Sequence, residues 1–444
     1  MTKVRRLARA AFLGLCWALL VTAVPAAAAN GGRLVIHTSH AQSWATVPAL
    51  VEAFRQEYPE IEVEYLHSAR EQLATMVAGG VSPDVAEVRS EDYLLGILQP
   101  LDDYLARSEV VRKLREEGGL PAFLFDAGLS NGLFAGHYYF MHTMRFYPSL
   151  ATIFNVTMFQ EAGLVPFSDD RAPSWDEVAE AHRRLTRLSA EGLPEQIGFD
   201  IRNLVRVPIR IAYPFGVDFV DVENNRATLV NLLEPITFLY DNFVRTVGVQ
   251  DIRQLDRLLS SHIPAFSSKR SAGTFANAPT PPRVRESGLM DEIRTTWTPS
   301  TTGERIHFLD GHPLGLIVGA QNLENAYRFL DFTITYLDWH REVTFPQFAA
   351  AGANALADLI ENPARWWPTP PEQSIEWFFT SLAHTDRFVS PTNHGTWWED
   401  GVVADWWFRR DMVGLTRSFS GQEPIIQVLE EVDRFVNADI QRGP

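Results

Sequence analysis

The sequence predicts an α/β protein of more than one lobe, with a parallel sheet at its amino-terminal end. Three observations carry this. Arg33 to Val88 reads strand, helix, strand, helix, strand. The links between those strands are long enough for crossovers, and crossovers of that kind build parallel sheets. At 444 residues, with 46% hydrophobic and 21% charged residues, the chain is globular and too long for one average core.

Leu34-Val35-Ile36 is a short, apolar strand. Val47, Leu50, Val51, Phe54 and Tyr58 follow at helical spacing and define one buried face. Tyr58-Pro59 ends that helix, because the proline ring drives its predecessor out of the helical region. Ile61, Val63 and Tyr65 alternate with Glu62 and Glu64, the period of a strand. Glu71 to Ala78 forms a second helix stopped by Gly79-Gly80, and Val85 to Val88 is the third strand. Ligands on such sheets bind at the carboxyl ends of the strands, here the loops His37 to Trp44 and Glu87 to Asp92.

Further on, Leu114 to Phe125 reads helical. Gly136 to Phe140 and Ile153 to Asn155 read as strands around an aromatic stretch ending Tyr147-Pro148, a candidate hinge. Ser174 and Glu177 make an S-x-x-E capping box, followed by a buried face of Trp175, Val178, His182, Leu185 and Leu188. Ile197 to Phe199 is a strand, and Arg270 to Asp291, rich in Pro and Gly, reads as a loop. Gly311 to Val318 is an apolar segment, with a helix from Asn322 to Leu337. Ile425, Leu429, Val432, Phe435 and Val436 form the core face of a carboxyl-terminal helix. A βα pattern that leaves one lobe and returns near Gly311 predicts two lobes with several crossings, and a ligand cleft between them.

The first 29 residues read as a signal peptide. Lys3, Arg5, Arg6 and Arg9 form the basic region, Ala10 to Val24 the apolar one, and Ala26 to Ala29 the cleavage site. Arg5-Arg6 leaves the general and twin-arginine routes both open. Cys16, the one cysteine, falls inside this segment, so the exported chain has neither disulfide nor thiolate chemistry. Losing the four basic residues of the signal takes the formal charge from −16 to −20. Such a charge disfavours nucleic acid and anionic membranes, and suits a soluble protein with a neutral or cationic ligand.

Motifs for catalysis or metal are weak. Gly128-Leu129-Ser130-Asn131-Gly132 matches G-x-S-x-G, but the segment before it reads helical where a nucleophile elbow needs a strand. His37 and His40 lack the further ligands of a zinc site, and no catalytic residue, metal or cofactor is expected. Glu87, Glu91 and Asp92 cluster at one strand end. They serve as acceptors for ligand hydroxyls without special pKa values; as a glycosidase pair they would need a matched separation. The 12 Trp, 28 Phe and 11 Tyr, with doublets at 366–367, 397–398 and 406–407, fit a sugar ligand, since indoles stack on pyranose faces. Core packing is the competing use of each ring.

Several short motifs then fall in one order. Phe54 to Val63 is similar to "F-x-x-x-Y-P-x-I-x-V", Ala78 to Val85 to "A-x-G-x-x-P-D-V", and Leu98 to Tyr104 to "L-x-P-L-D-x-Y". Ile153 to Leu164 resembles "Y-Y-N-x-x-x-F-x-x-A-G-L", with Phe154 at the second tyrosine, and Pro173 to Glu177 resembles "P-x-T-W-D-E-L". Together they resemble the family 1 extracellular solute-binding proteins of ABC importers, which are maltose-binding-protein-like, from about Arg33 to the carboxyl terminus.

The resemblance implies a type II periplasmic-binding-protein fold: two lobes, each a mixed, mostly parallel sheet flanked by helices, with multiple crossings between them. It implies a signal peptide over 1–29, a first lobe of 30–145 with 300–340, and a second of 146–299 with 341–444. It implies a periplasmic, monomeric receptor, cleaved near Ala29, that captures a sugar and delivers it to the transmembrane subunits of a permease. By motif position the cleft takes His40, Gln42, Ser43 and Trp44 after the first strand, and Glu87, Arg89, Ser90, Glu91 and Asp92 after the third. It takes His142 and Arg145 from the first crossing and Asp200, Arg202 and Asn203 after the capping-box helix. Asn277, Trp297 and Gly311 complete it. Two alternatives stand beside this reading. One is the same receptor for an anionic solute such as a phosphorylated polyol, held by Arg89, Arg145 and Arg202. The other is a secreted carbohydrate-active enzyme.

Overall fold

The computed structural model describes residues 32–39, 46–69, 71–89, 92–93, 95–130, 132–205, 208–221, 224, 226–249, 252–259, 262–285, 287–345, 352–367, 369, 371–389 and 423–442. The opening unit runs β1 (Arg33–Thr38), α1 (Thr46–Glu57), β2 (Glu62–His67), α2 (Glu71–Ala78) and β3 (Val85–Glu87). The apolar spacing dictates the packing. Val47, Leu50, Val51 and Phe54 of α1 are buried against Leu34 and Ile36 of β1 and the rings of Phe329 and Phe332. β1 pairs in parallel with β2 (Leu34 opposite Val63) and with β3 (Ile36 opposite Val85). Gly80, at φ 72°, gives α2 the left-handed stop that other residues resist.

Asp84 ties this unit together. Its Oδ2 accepts from the Val35 amide at 2.8 Å, and its Oδ1 from the amides of Gln321 and Asn322 at 2.8 and 2.9 Å. Gln321 and Asn322 open the helix α5 (Leu323–Thr335), whose first amides have no partners of their own. The Pro-Asp-Val motif is therefore an anchor for β1 and a cap for α5.

Between these lie β4 (Leu98–Gln99), α3 (Gly119–Ser130), β5 (Phe140–Ser149), β6 (Ala151–Asn155), α4 (Trp175–Leu185), β7 (Arg187–Leu188), β8 (Pro194–Asp200), β9 (Ser271–Ala276), β10 (Ile293–Thr296) and β11 (Ile306–Ile317). After α5 come α6 (Ala353–Glu361), α7 (Gln373–Thr380), β12 (Arg387–Val389) and α8 (Ile425–Arg442). The first sheet has the order β12-β11-β3-β1-β2, with β4 and β5 also on β11, and the second β10-β6-β9-β8-β7. Both sheets mix parallel and antiparallel pairs, as expected of a two-lobed α/β fold.

The lobes join where β5 and β11 run side by side from Gly315/Phe140 to Phe308/Ser149. β5 passes into β6 at Leu150, which is buried yet holds φ 61°. A branched side chain in that region costs about 1–2 kcal/mol, retained where surrounding packing over-determines the turn.

Three expectations change. Leu188 is 44% exposed on β7 instead of continuing the face of α4, because the helix ends at Leu185. The stretch from Arg270, read as a loop, begins with the buried strand β9. Its small residues are what the sheet requires: a Cβ on Gly273 would come within 2.2 Å of the Phe199 ring. The second lobe does not hold all of 341–444. α6 packs on α3 and β5, with Leu356 and Leu359 in one cluster with Leu124, Leu129 and Met141, whereas β12 pairs with the Ile306–Phe308 end of β11 and its Val389 clusters with Phe199 and Phe275. α7 and α8 do pack on second-lobe elements, and Asp433 of α8 caps the amides of Leu229 and Val230 at 2.6 and 3.1 Å.

The capping box is present: Ser174 Oγ accepts from the Glu177 amide and Glu177 Oε2 from the Ser174 amide. Ser130 ends α3 and donates to the Ala127 carbonyl at 2.7 Å, so the G-x-S-x-G match is a helix end. Ser130→Ala is expected to change stability by under about 1 kcal/mol. Urea unfolding checks this, and a loss of several kcal/mol would contradict it.

Candidate functional site

The carboxyl ends of β1 and β3 lie side by side in the first sheet, and β3 pairs there with the crossing strand β11. Glu87 ends β3 opposite Leu314 of β11. Its Oε1 lies 2.7 Å from Nδ1 of His312, with side-chain exposures of 6% and 13%. Thr38 ends β1, and its hydroxyl is 2.8 Å from that of Tyr65. His37, beside it, is buried with Nε2 2.7 Å from Ser68 Oγ. Burial lowers the His37 pKa; the Glu87 charge opposes this, and His67 adds to it. Burial likewise raises the Tyr65 hydroxyl, against its bond to Thr38 and with the help of Glu87. The strand edge thus gathers hydroxyls, imidazoles and a carboxylate, groups that exchange hydrogen bonds with polar solutes.

Asp92 is buried and its Oδ2 accepts from the Arg89 amide at 2.8 Å, so it shapes the turn after β3 while Arg89 itself is exposed. His142 of β5 is buried, its ring nearly perpendicular to that of Phe140. Arg145 and Gly311 lie in the paired crossing strands, opposite His312 and Phe146 respectively. His40, Gln42, Ser43, Trp44, Ser90 and Glu91 lie outside the described residues, as do the tryptophan doublets at 397–398 and 406–407.

In the second lobe the carboxyl ends of the parallel pair β8 and β9 carry the corresponding group. Arg202 is 1% exposed and clasped by Asp200: Nε reaches Oδ1 at 2.9 Å and Oδ2 at 3.1 Å, while an Nη reaches Oδ2 at 2.5 Å. Asn203 donates to the Phe275 carbonyl at 2.8 Å and accepts from Arg210 at 3.0 Å. Asn277 Oδ1 is buried with no hydrogen-bond partner among the described residues.

Trp297 leaves the set. It is 1% exposed, its indole N–H donates to the Asp169 carbonyl at 2.8 Å, and its ring packs against His307 and Trp377. A ring enclosed on this scale offers no face to a sugar, and it is a core residue of the join between lobes. Sequence reasoning passed over His312. A polar residue inside the apolar run from Gly311 to Val318, just before Pro313, was the available signal. Among the described residues no group of three or more His, Cys, Asp or Glu could hold a metal ion, and no helix is long and apolar enough to cross a membrane.

The family model for bacterial extracellular solute-binding protein matches residues 38–197. The resemblance read from the motifs is borne out over that stretch. No curated protein matches by sequence. Among solved structures, the chain is similar to an ABC substrate-binding protein from Listeria monocytogenes in complex with cycloalternan. That match has 17% identity, covers 93% of this chain and 99% of the other, and has a TM-score of 0.67. It is also similar to the sugar-binding protein MalE from Xanthomonas citri (16% identity, 92% and 98% covered, TM-score 0.68). A third is the cyclic α-maltosyl-1,6-maltose binding protein from Arthrobacter globiformis (15% identity, 93% and 99% covered, TM-score 0.66). At such identities the likeness is one of fold, and it is a binding-protein fold along nearly the whole chain.

Proposed function

We infer that this chain is a member of the bacterial extracellular solute-binding family, working as an exported, monomeric receptor. It captures a neutral sugar or oligosaccharide between its lobes and passes it to the transmembrane subunits of an ABC importer. One observation carries the reading: the family match over 38–197 spans the strand ends that hold Thr38, Glu87 and Asp92. The sugar-binding proteins of the same fold support the ligand class. The signal segment supports export to the periplasm.

Charge favours a sugar over an anion at these strand ends. An anionic ligand needs an unneutralised guanidinium to bind it bidentately. Asp200 already holds Arg202 that way, and Glu87 and Asp92 bring negative charge to the first-lobe edge. A carboxylate that accepts two hydroxyls of a pyranose suits this edge better. Closure is then driven by ligand contacts made only when the lobes meet.

Differential scanning fluorimetry of the mature protein with maltose, maltotriose, mannobiose and acarbose at millimolar concentration tests this. A ligand at a hundred times its Kd adds about 2.7 kcal/mol, expected as a rise of a few degrees in Tm. A rise with a phosphorylated polyol and with none of the sugars would overturn the sugar assignment.

A further inference from the structure

We propose that His312 is a positioning residue of the ligand cleft: from the strand joining the lobes it fixes the carboxylate of Glu87, which reads the ligand's hydroxyls. The proposal rests on the receptor reading above. Glu87 ends β3, the edge of a parallel sheet where ligands collect. It is buried, so its rotamer is set by what touches it and not by solvent.

The contact is built by a local irregularity. Leu314 stands opposite Glu87, and the ladder between β11 and β5 shifts register between His312 and Leu314. Such irregularities sit beside functional sites and re-aim side chains. Here the Val88 amide donates to the Pro313 carbonyl at 3.1 Å, pinning the shifted segment to the end of β3. Gly315 keeps the strands close, since a Cβ there would meet Val88 at 3.0 Å and the Tyr139 carbonyl at 3.1 Å. The result places His312 Nδ1 2.7 Å from Glu87 Oε1.

An ionised carboxylate only accepts, and it serves a vicinal diol when its plane is held in one orientation. An imidazole N–H on one oxygen supplies that orientation and leaves the group charged. β11 comes from the second-lobe side at Ile306 and enters the first sheet just past His312, so the residue that orients Glu87 also belongs to the segment that joins the lobes.

Side-chain geometry gives the test. Asparagine places its amide N–H near the position of Nδ1, whereas glutamine places it near Nε2. Titration calorimetry of the full mature protein uses whichever of maltose, maltotriose, mannobiose or acarbose binds. Losing a hydrogen bond to a charged group is expected to weaken binding about 30-fold in His312→Gln, with His312→Asn within about fivefold of wild type. Glu87→Gln should cost about 100-fold in the wild-type background and under about tenfold in His312→Gln, because the two act as a unit. A merely structural His312 would lower Tm and affinity together in both variants and leave the Glu87→Gln effect equal in both backgrounds. Equal affinities for wild type and His312→Gln, or a silent Glu87→Gln, would overturn the proposal while the receptor reading stands. A wild type that binds none of the four sugars overturns the sugar assignment and this proposal with it.

Discussion

Between pH 7 and pH 5 the protein is expected to lose roughly 5 kcal/mol of stability, from three buried histidines that are neutral in the native state. Burial pushes His182 and His307 down from 6.5 to about 3, and His340 to about 4. Geometry supports the direction. His182 Nδ1 accepts the Phe199 amide at 2.8 Å, leaving Nε2–H to donate to Thr246. His340 repeats the arrangement, with Nδ1 accepting from the Gly352 amide and Nε2 facing the Thr333 carbonyl. Protonating either Nδ1 would set a second donor against a backbone N–H.

The sign follows from proton counting. Below pH 6.5 the unfolded chain binds protons at these sites and the native one does not, so stability falls as pH falls. It is fully present above 6.5 and lost progressively down to the folded values of about 3 to 4. Each site contributes about 1.4 kcal/mol per pH unit inside that window, against a total stability of about 5–15 kcal/mol. Acidification also relieves the self-repulsion of a chain with formal charge −16, but those charges are mostly exposed and screened beyond about 10 Å. Calorimetric Tm values at pH 7.5, 6 and 5 check this, and His182→Gln should flatten the curve by about a third. A Tm independent of pH across that range would contradict the neutral assignment.

Asp84→Ala is expected to cost roughly 4 kcal/mol or more, since it strips the acceptor from three backbone amides at once. Asp84 is 1% exposed, so water does not replace the carboxylate. The Val35, Gln321 and Asn322 amides would be buried and unmet. Asp84→Asn keeps one acceptor oxygen and should lose about half as much. Urea unfolding of both variants measures it, and an Asp84→Ala loss under 1 kcal/mol would show that the cap is replaceable.

Local pattern determined a good deal. Helical spacing placed Val47, Leu50, Val51 and Phe54 in the core, period-two alternation placed β2, and the S-x-x-E pair opened α4, because each rests on neighbours within one turn or one pleat. The collinear motifs identified the family stretch, and strand-end reasoning located the edge holding Glu87 and Asp92.

Other features needed the fold, because they join residues far apart in the chain. Asp84 is an anchor only once Asn322 folds back to it, and Glu87 meets His312 across 225 positions through a register shift that no local pattern encodes. Trp297 has the same side chain as a sugar-stacking tryptophan; His307 and Trp377, closing over it, make it core. Gly273 looks like a loop glycine until the Phe199 ring occupies the space of its missing Cβ. Fold class was legible from short-range periodicity, while the identity of the residues that face a ligand depends on which distant surfaces cover which side chains.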